Sequence, residues 1–261
     1  MNTTNNPALE HIDVTGHRLE YYWSRPRSNG EPVLVFLHEG LGSAALWRNF
    51  PAQLSARTGL PALVYSRYGY GGSDVLVGKR SVEYMHQEAL EALPALREVL
   101  GLDDVILVGH SDGGSISLIH AGAGQWPVRA LMLMAPHVFV EDVTIVGIKA
   151  AKVAYETTDL LTRIGRHHTD GEATFRGWND IWLTPAFRDW NIEEFLPGVI
   201  APALVLQGEG DEYGSSLQLE AIAAQTIGPC QTKVIPDCLH SPQRDQPEVA
   251  LTGMADFVKG A

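Results

Sequence analysis

Cysteine is nearly absent. Cys230 and Cys238 are the only two, so no disulfide framework can form, and their spacing matches no zinc pattern. Long apolar runs are missing as well. The longest, such as Val33-Leu34-Val35-Phe36-Leu37, reach about a quarter of the roughly 20 residues a membrane helix needs. Basic residues are outnumbered, with 19 Lys and Arg against 31 Asp and Glu, for a formal net charge of −12. Nucleic acid and anionic membranes both require a basic face, so neither is expected as a partner. No repeat period or low-complexity segment is visible. The opening residues Met1-Asn2-Thr3-Thr4-Asn5-Asn6-Pro7 have neither a basic nor an apolar region. They read as a short frayed tail without a secretory signal, on a cytoplasmic chain.

What remains is ordinary globular usage. The 261 residues, 45% hydrophobic and 19% charged, suffice for a substantial core without staples. Strand candidates are Arg18–Trp23, Val33–His38, Ala62–Ser66, Val105–Gly109, Ala130–Ala135, Ala203–Gln207 and Thr232–Ile235. Four of these are almost continuously apolar, as expected of strands buried on both faces of a parallel sheet. Helical spacing marks Ala44–Arg57, Val82–Leu100 (with Pro94 breaking or kinking it), Gly113–Ala121, Ser216–Ile227 and Pro247–Lys259. The alternation predicts a doubly wound α/β sheet. From His137 to Ile200 no buried strand is evident, and Phe175, Trp178, Trp182, Phe187, Trp190 and Phe195 crowd together. So long a connection predicts a helical insertion over the carboxyl ends of the strands, where ligands bind.

The strongest local signal is Gly109-His110-Ser111-Asp112-Gly113, directly after a buried strand and before a helix. It fits the G-x-S-x-G elbow, with Ser111 at a strained tip. Side chains two residues to either side would collide, hence Gly109 and Gly113. Asp112 is a rival nucleophile by residue type, but placing it at the tip would require a very small residue where His110 stands. A serine needs a base, itself oriented by a carboxylate. Asp211 follows a buried strand and is the chosen carboxylate, with Glu209 and Glu212 as rivals. His240 follows the last strand, so the order Ser111, Asp211, His240 is complete.

With these residues the sequence resembles the α/β-hydrolase superfamily from Val33 to Val258. Leu37-His38-Glu39-Gly40-Leu41-Gly42 is similar to that family's turn after the third strand. Arg67-Tyr68-Gly69-Tyr70-Gly71-Gly72-Ser73 is similar to its turn after the next one. The resemblance implies a mostly parallel eight-stranded sheet, a core of residues 1–136 and 201–261, and a helical cap at 137–200. It also implies an oxyanion hole made by the backbone N–H of Asp112 and that of Gly40 or Leu41. Glu39 stands where the family has glycine, and Asp112 follows the serine. Each either bonds neighbouring groups, or binds a polar or cationic part of the substrate, or carries a raised pKa.

Other residues carry less. Trp178 and Trp182 share a helical face and are the best aromatic candidates for substrate contact. His38 reads as structural, His167-His168 as no metal site, and the glycines at 69–72 as no phosphate loop. The expected activity is cofactor-independent, metal-free hydrolysis of a small carboxylic ester or lactone. Carbon–carbon bond hydrolysis of a 1,5-diketone is a second reading. It would need a cation such as Arg163, Arg166, Arg176 or Arg188 for the substrate carboxylate. A ligand receptor without turnover is a third. The partner is a small molecule, and a homo-oligomer stays open.

Overall fold

The structure, a computed structural model, describes residues 9–260, so the expected tail at Met1–Pro7 lies outside the described residues. In chain order the elements begin with a hairpin of β1 (Glu10–Val14) and β2 (His17–Trp23), followed by β3 (Val33–Leu37). A 3₁₀ turn (Ala44–Trp47), α1 (Phe50–Thr58) and β4 (Ala62–Tyr65) come next. Then come α2 (Tyr84–Gln87), α3 (Leu93–Leu100), β5 (Val105–His110), α4 (Asp112–Gly122) and β6 (Ala130–Met134). The long connection holds α5 (Asp142–Thr157), α6 (Leu160–Ile164), α7 (Gly171–Trp182) and two 3₁₀ turns. β7 (Ala203–Gly208), α8 (Ser216–Gln225), β8 (Cys230–Ile235), α9 (Pro242–Asp245) and α10 (Pro247–Gly260) complete it.

The eight strands form one sheet in the order β1-β2-β4-β3-β5-β6-β7-β8. It is parallel from β4 to β8, with β1 and β2 antiparallel at one edge. Every residue of β3, β5, β6 and β7 is buried. Alternate side chains serve opposite layers, because successive residues of a strand face opposite ways. Leu34, Phe36, Ile106 and Val108 meet Trp47, Leu54, Leu251 and Met254 on one face. Val33, Val35, Leu37 and Leu107 meet Leu93, Leu96 and Ile116 on the other, where Phe175, Trp178 and Trp182 join the same core. Burial on both faces explains the unbroken apolar runs.

Three elements differ from expectation. β1 was not anticipated, because Glu-His-Ile-Asp-Val at an exposed sheet edge buries only Val14. The helix expected from Ala44 to Arg57 is split, since Arg48 adopts a positive φ of 51° and Pro51 sits in the first turn of α1. The helix expected over Val82–Leu100 contains a wide π-helical turn at Glu88–Ala92, which lets Pro94 fall in the first turn of α3. Between β6 and β7 the chain is helical as predicted. Its last turn, Glu193–Gly198, packs against α4 and α8. Among the described residues, no helix is long and apolar enough to cross a membrane.

Candidate active site

The carboxyl ends of the parallel strands bring the chemistry-bearing residues to one edge. Ser111 follows β5 with φ 53° and ψ −118°, a sparsely populated conformation costing on the order of 1–3 kcal/mol. The turn is held by close approach. A β-carbon on Gly109 would lie 2.4 Å from the Gly113 carbonyl oxygen, and one on Gly113 only 2.0 Å from that of Leu37. Both glycines are therefore required, and Gly113 for a reason absent from the local sequence, its contact with β3.

Asp211 lies in the loop after β7 and His240 in the loop after β8. His240 Nε2 is 3.0 Å from Ser111 Oγ, and His240 Nδ1 is 2.8 Å from Asp211 Oδ1. Asp211 Oδ1 also accepts from the N–H of Tyr213 (2.9 Å) and Gly214 (3.3 Å), and Oδ2 from Gln207 Nε2 (3.2 Å). Burial raises the Asp211 carboxyl pKa, but the hydrogen bond and charge of His240 outweigh it and leave it below the usual range. For His240 burial works downward, and the bond to Asp211 reverses it, holding the imidazole above its ordinary value. Of the two rivals, Glu212 Oε2 accepts the His240 backbone N–H at 3.1 Å, and Glu209 is exposed.

Two turns flank the serine. The N–H groups of Gly40, Leu41 and Asp112 have no acceptor among the described residues. Arg67, fully buried, fixes the first turn by donating from Nη2 to the carbonyls of His38 and Glu39, both at 3.1 Å. His38 Nε2 accepts the Arg67 N–H at 3.0 Å. Burial, then the charge of Arg67, push the His38 pKa well below normal, which favours a neutral ring.

The two carboxylates left open by the sequence have different settings. Asp112 turns away from Ser111. Its Oδ2 accepts from the Tyr84 hydroxyl at 2.8 Å and lies 3.7 Å from Arg67 Nη2, and the same hydroxyl accepts from Trp182 Nε1 at 3.0 Å. Tyr84→Phe strands the buried Trp182 N–H and removes one partner from Asp112. Urea unfolding is expected to show a loss of about 1–3 kcal/mol, and an unchanged midpoint would refute the assignment. Glu39 lines the cavity, with Oε2 3.4 Å from His110 Nδ1. Burial pushes its pKa up, yet the contact with His110 prevails and brings it to about 2, against the raised value entertained from the sequence.

The cavity over Ser111 measures about 230 Å³. Trp178 and Trp182, the aromatic candidates for substrate contact, both line it, with Trp178 lying directly over the first turn. A β-carbon on Gly40 would come within 2.1 Å of the Trp178 indole nitrogen. His137, Ile148, Tyr213 and Arg244 also line it and were not anticipated, since no motif marks them. His168, one of the histidines weighed as a metal ligand, instead ties three segments together. Its Nδ1 accepts from the Gly71 N–H at 2.9 Å, and its Nε2–H donates to the Leu41 carbonyl at 3.1 Å. Among the described residues, no cluster could hold a metal ion.

Comparison with known proteins agrees with this architecture. Residues 34–251 match the Alpha/beta hydrolase family. A proline iminopeptidase of Saccharolobus solfataricus is 36% identical over 219 residues, covering 69% of this chain and 70% of that protein. One from Lactobacillus delbrueckii subsp. lactis is 32% identical over 87 residues, 33% of this chain, and the match spans only 30% of that relative's length. The enol-lactonase from Burkholderia xenovorans LB400 superposes with a TM-score of 0.75 at 19% identity, covering 96% of this chain and 100% of that one. On the sheet order, the strained turn at Ser111 and the match over most of its length, the chain belongs to the alpha/beta hydrolase family.

Proposed function

We propose that the protein is a serine hydrolase acting on a small carboxylic ester or lactone. The observation that carries this reading is the continuous relay from Ser111 Oγ to His240 to Asp211, 3.0 and 2.8 Å per link, opening into a cavity walled by Trp178 and Trp182. In this mechanism His240 Nε2 takes the Ser111 proton as Oγ attacks the carbonyl carbon. The oxyanion is bound by the N–H of Asp112 together with that of Gly40 or Leu41. His240 then protonates the leaving alkoxide, which in a lactone stays tethered to the acyl group. Water, deprotonated by the same imidazole, attacks the acyl-enzyme and regenerates Ser111. The helices between β6 and β7 act as a cap. A cavity of 230 Å³ lies below the roughly 300–1,000 Å³ of drug-sized sites and favours a small acyl group.

One observation favours a second reading. Glu39 and Glu212 both line the cavity, and a carboxylate ionised down to about pH 2 suits an ammonium group. Proline iminopeptidases among the relatives make an aminopeptidase the specific form of that reading. Labelling with a fluorophosphonate, followed by a panel of aryl esters, lactones and prolyl arylamides, separates the two. Ser111-dependent labelling with ester or lactone turnover supports the first reading. Turnover confined to the arylamide, and lost in Glu39→Gln, replaces it with the second.

A further inference from the structure

Beside the catalytic cavity lies another of about 280 Å³, lined by Arg48, Arg163, His167 and Arg244 over an apolar floor that includes Trp47 and Ile164. The two cavities share Glu39, Leu41 and Arg244 as wall residues, so they adjoin there. Three arginines gather here from three separate places in the chain. Arg48 follows the 3₁₀ turn after β3, Arg163 belongs to α6 above the sheet, and Arg244 sits on α9, shortly after His240. In a chain with 31 acidic and 19 basic residues, such a concentration runs against the overall charge.

Their partners, or lack of them, are informative. Arg25, Arg57, Arg129, Arg176 and Arg188 are each paired with a carboxylate. Arg48 and Arg244 make no ion pair and no side-chain hydrogen bond among the described residues, and Arg163 meets only the exposed Asp159. Arg48 is moreover held at φ 51°, ψ −128°, a conformation that glycine would adopt at less cost. Arg48, Arg163 and Arg244 are all exposed at the cavity wall, so their guanidinium groups are free to meet a ligand entering from solvent. Besides Asp159, which meets Arg163 from outside, the carboxylate among the lining residues is Glu39, and it contacts His110 on the catalytic side. Arg48 and Arg163 line this cavity and not the catalytic one, while Arg244 lines both. Planar guanidinium groups match the oxygens of a carboxylate or phosphate in a way that an isolated point charge does not.

We propose that this second cavity binds an anionic group, carboxylate or phosphate, carried on the end of the substrate remote from the bond that Ser111 attacks. The proposal extends the hydrolase reading of Ser111. It names the class of substrate as a bifunctional ester or lactone with a reacting carbonyl at one end and an anion at the other. Of the cap cations considered for a substrate carboxylate, only Arg163 lines this cavity. Arg176 and Arg188 are engaged with Glu172 and Asp142 elsewhere.

Three 4-nitrophenyl esters of matched chain length, ending in a methyl, a carboxylate or a phosphate, provide the kinetic test. At low ionic strength wild type is expected to prefer at least one charged ester over the methyl-terminated one by tenfold or more in kcat/KM. That ratio should shrink as salt is raised. The combined Arg48→Gln and Arg244→Gln variant should bring the ratio near unity, and Arg48→Lys should give a ratio between that and wild type. The carboxylate and phosphate arms decide which anion is meant. A ratio near one in wild type, or a ratio unaltered in the double variant, overturns the proposal. Calorimetric titration with glutarate and with inorganic phosphate tests the cavity without turnover. Wild type should bind one of them at least tenfold more tightly than the double variant, and absence of binding by wild type also overturns it. Failure of all three esters alongside intact anion binding would instead count against the hydrolase reading and uphold the cavity.

Discussion

Replacing Ser111 with alanine is expected to lower kcat on an activated ester by on the order of 10⁶-fold, with no change of fold. The size of the loss follows from how little else the hydroxyl does. Ser111 Oγ bonds His240 Nε2 and no other side chain, so its removal breaks one part-buried hydrogen bond. Alanine keeps the β-carbon, so the strain at φ 53° is the same in variant and wild type. The groups that would bind the oxyanion belong to the backbone and remain in place, so residual catalysis above the reaction in water is expected to persist. Steady-state kinetics with a burst assay, together with thermal melting, checks both halves. Turnover within tenfold of wild type at an unchanged melting temperature would remove Ser111 from the mechanism.

The second large effect belongs to Asp211→Asn, expected to cost about 10³- to 10⁴-fold in kcat/KM. The surroundings of this carboxylate offer donors on both oxygens. Tyr213, Gly214 and His240 point at Oδ1, and Gln207 Nε2 points at Oδ2. An asparagine amide must therefore set its NH₂ against a donor in either orientation. Turned toward His240, it forces the wrong imidazole tautomer and opposes the Tyr213 N–H. Turned toward Gln207, it opposes an amide already committed to the Gly214 carbonyl at 2.7 Å. In both cases the negative charge that stabilises the imidazolium is gone.

The pH profile supplies an independent readout with a defined sign. The base must be neutral to accept the Ser111 proton, so kcat/KM rises with pH through the His240 pKa. That pKa is held above its ordinary value of about 6.5 by Asp211 against the downward pull of burial. In Asp211→Asn burial acts without its main opponent, and the acid limb moves to lower pH while the plateau falls. An acid limb that stays where it is in wild type would show that Asp211 does not govern His240.

Much of this was legible in the sequence, for identifiable reasons. Strands buried on both faces leave unbroken apolar runs, which is why strands expected at Val33–His38 and Val105–Gly109 are found, each within one residue, at Val33–Leu37 and Val105–His110. The chain order of Ser111, Asp211 and His240 was readable because each follows a strand and each loop opens at the same sheet edge. Edge and bend escaped. Glu10–Val14 is a strand only because it pairs with His17–Trp23, and no residue type announces that Arg48 turns the chain into positive φ. The carboxylates escaped in part as well. Asp112 and Glu39 both line the cavity, yet one is drawn back by Tyr84 and Arg67 and the other lies beside His110. Those neighbours all lie 28 or more positions away along the chain, too far for any local pattern to register.

The histidine that joins Gly71 to Leu41 has a consequence for how such an enzyme can diversify. Burial lowers the His168 pKa, keeping the ring neutral, so it serves one donor and one acceptor at once. Thr169 N–H and Thr174 Oγ add bonds to the carbonyls of Gly71 and Gly69, so the segment is stitched to a turn about 100 residues earlier. A chimera that imported a foreign cap would break this stitching and release the Leu41 turn from one of its supports. The turn at 69–71 and the segment at 168–174 therefore behave as one unit, and exchanging either alone is expected to loosen the other.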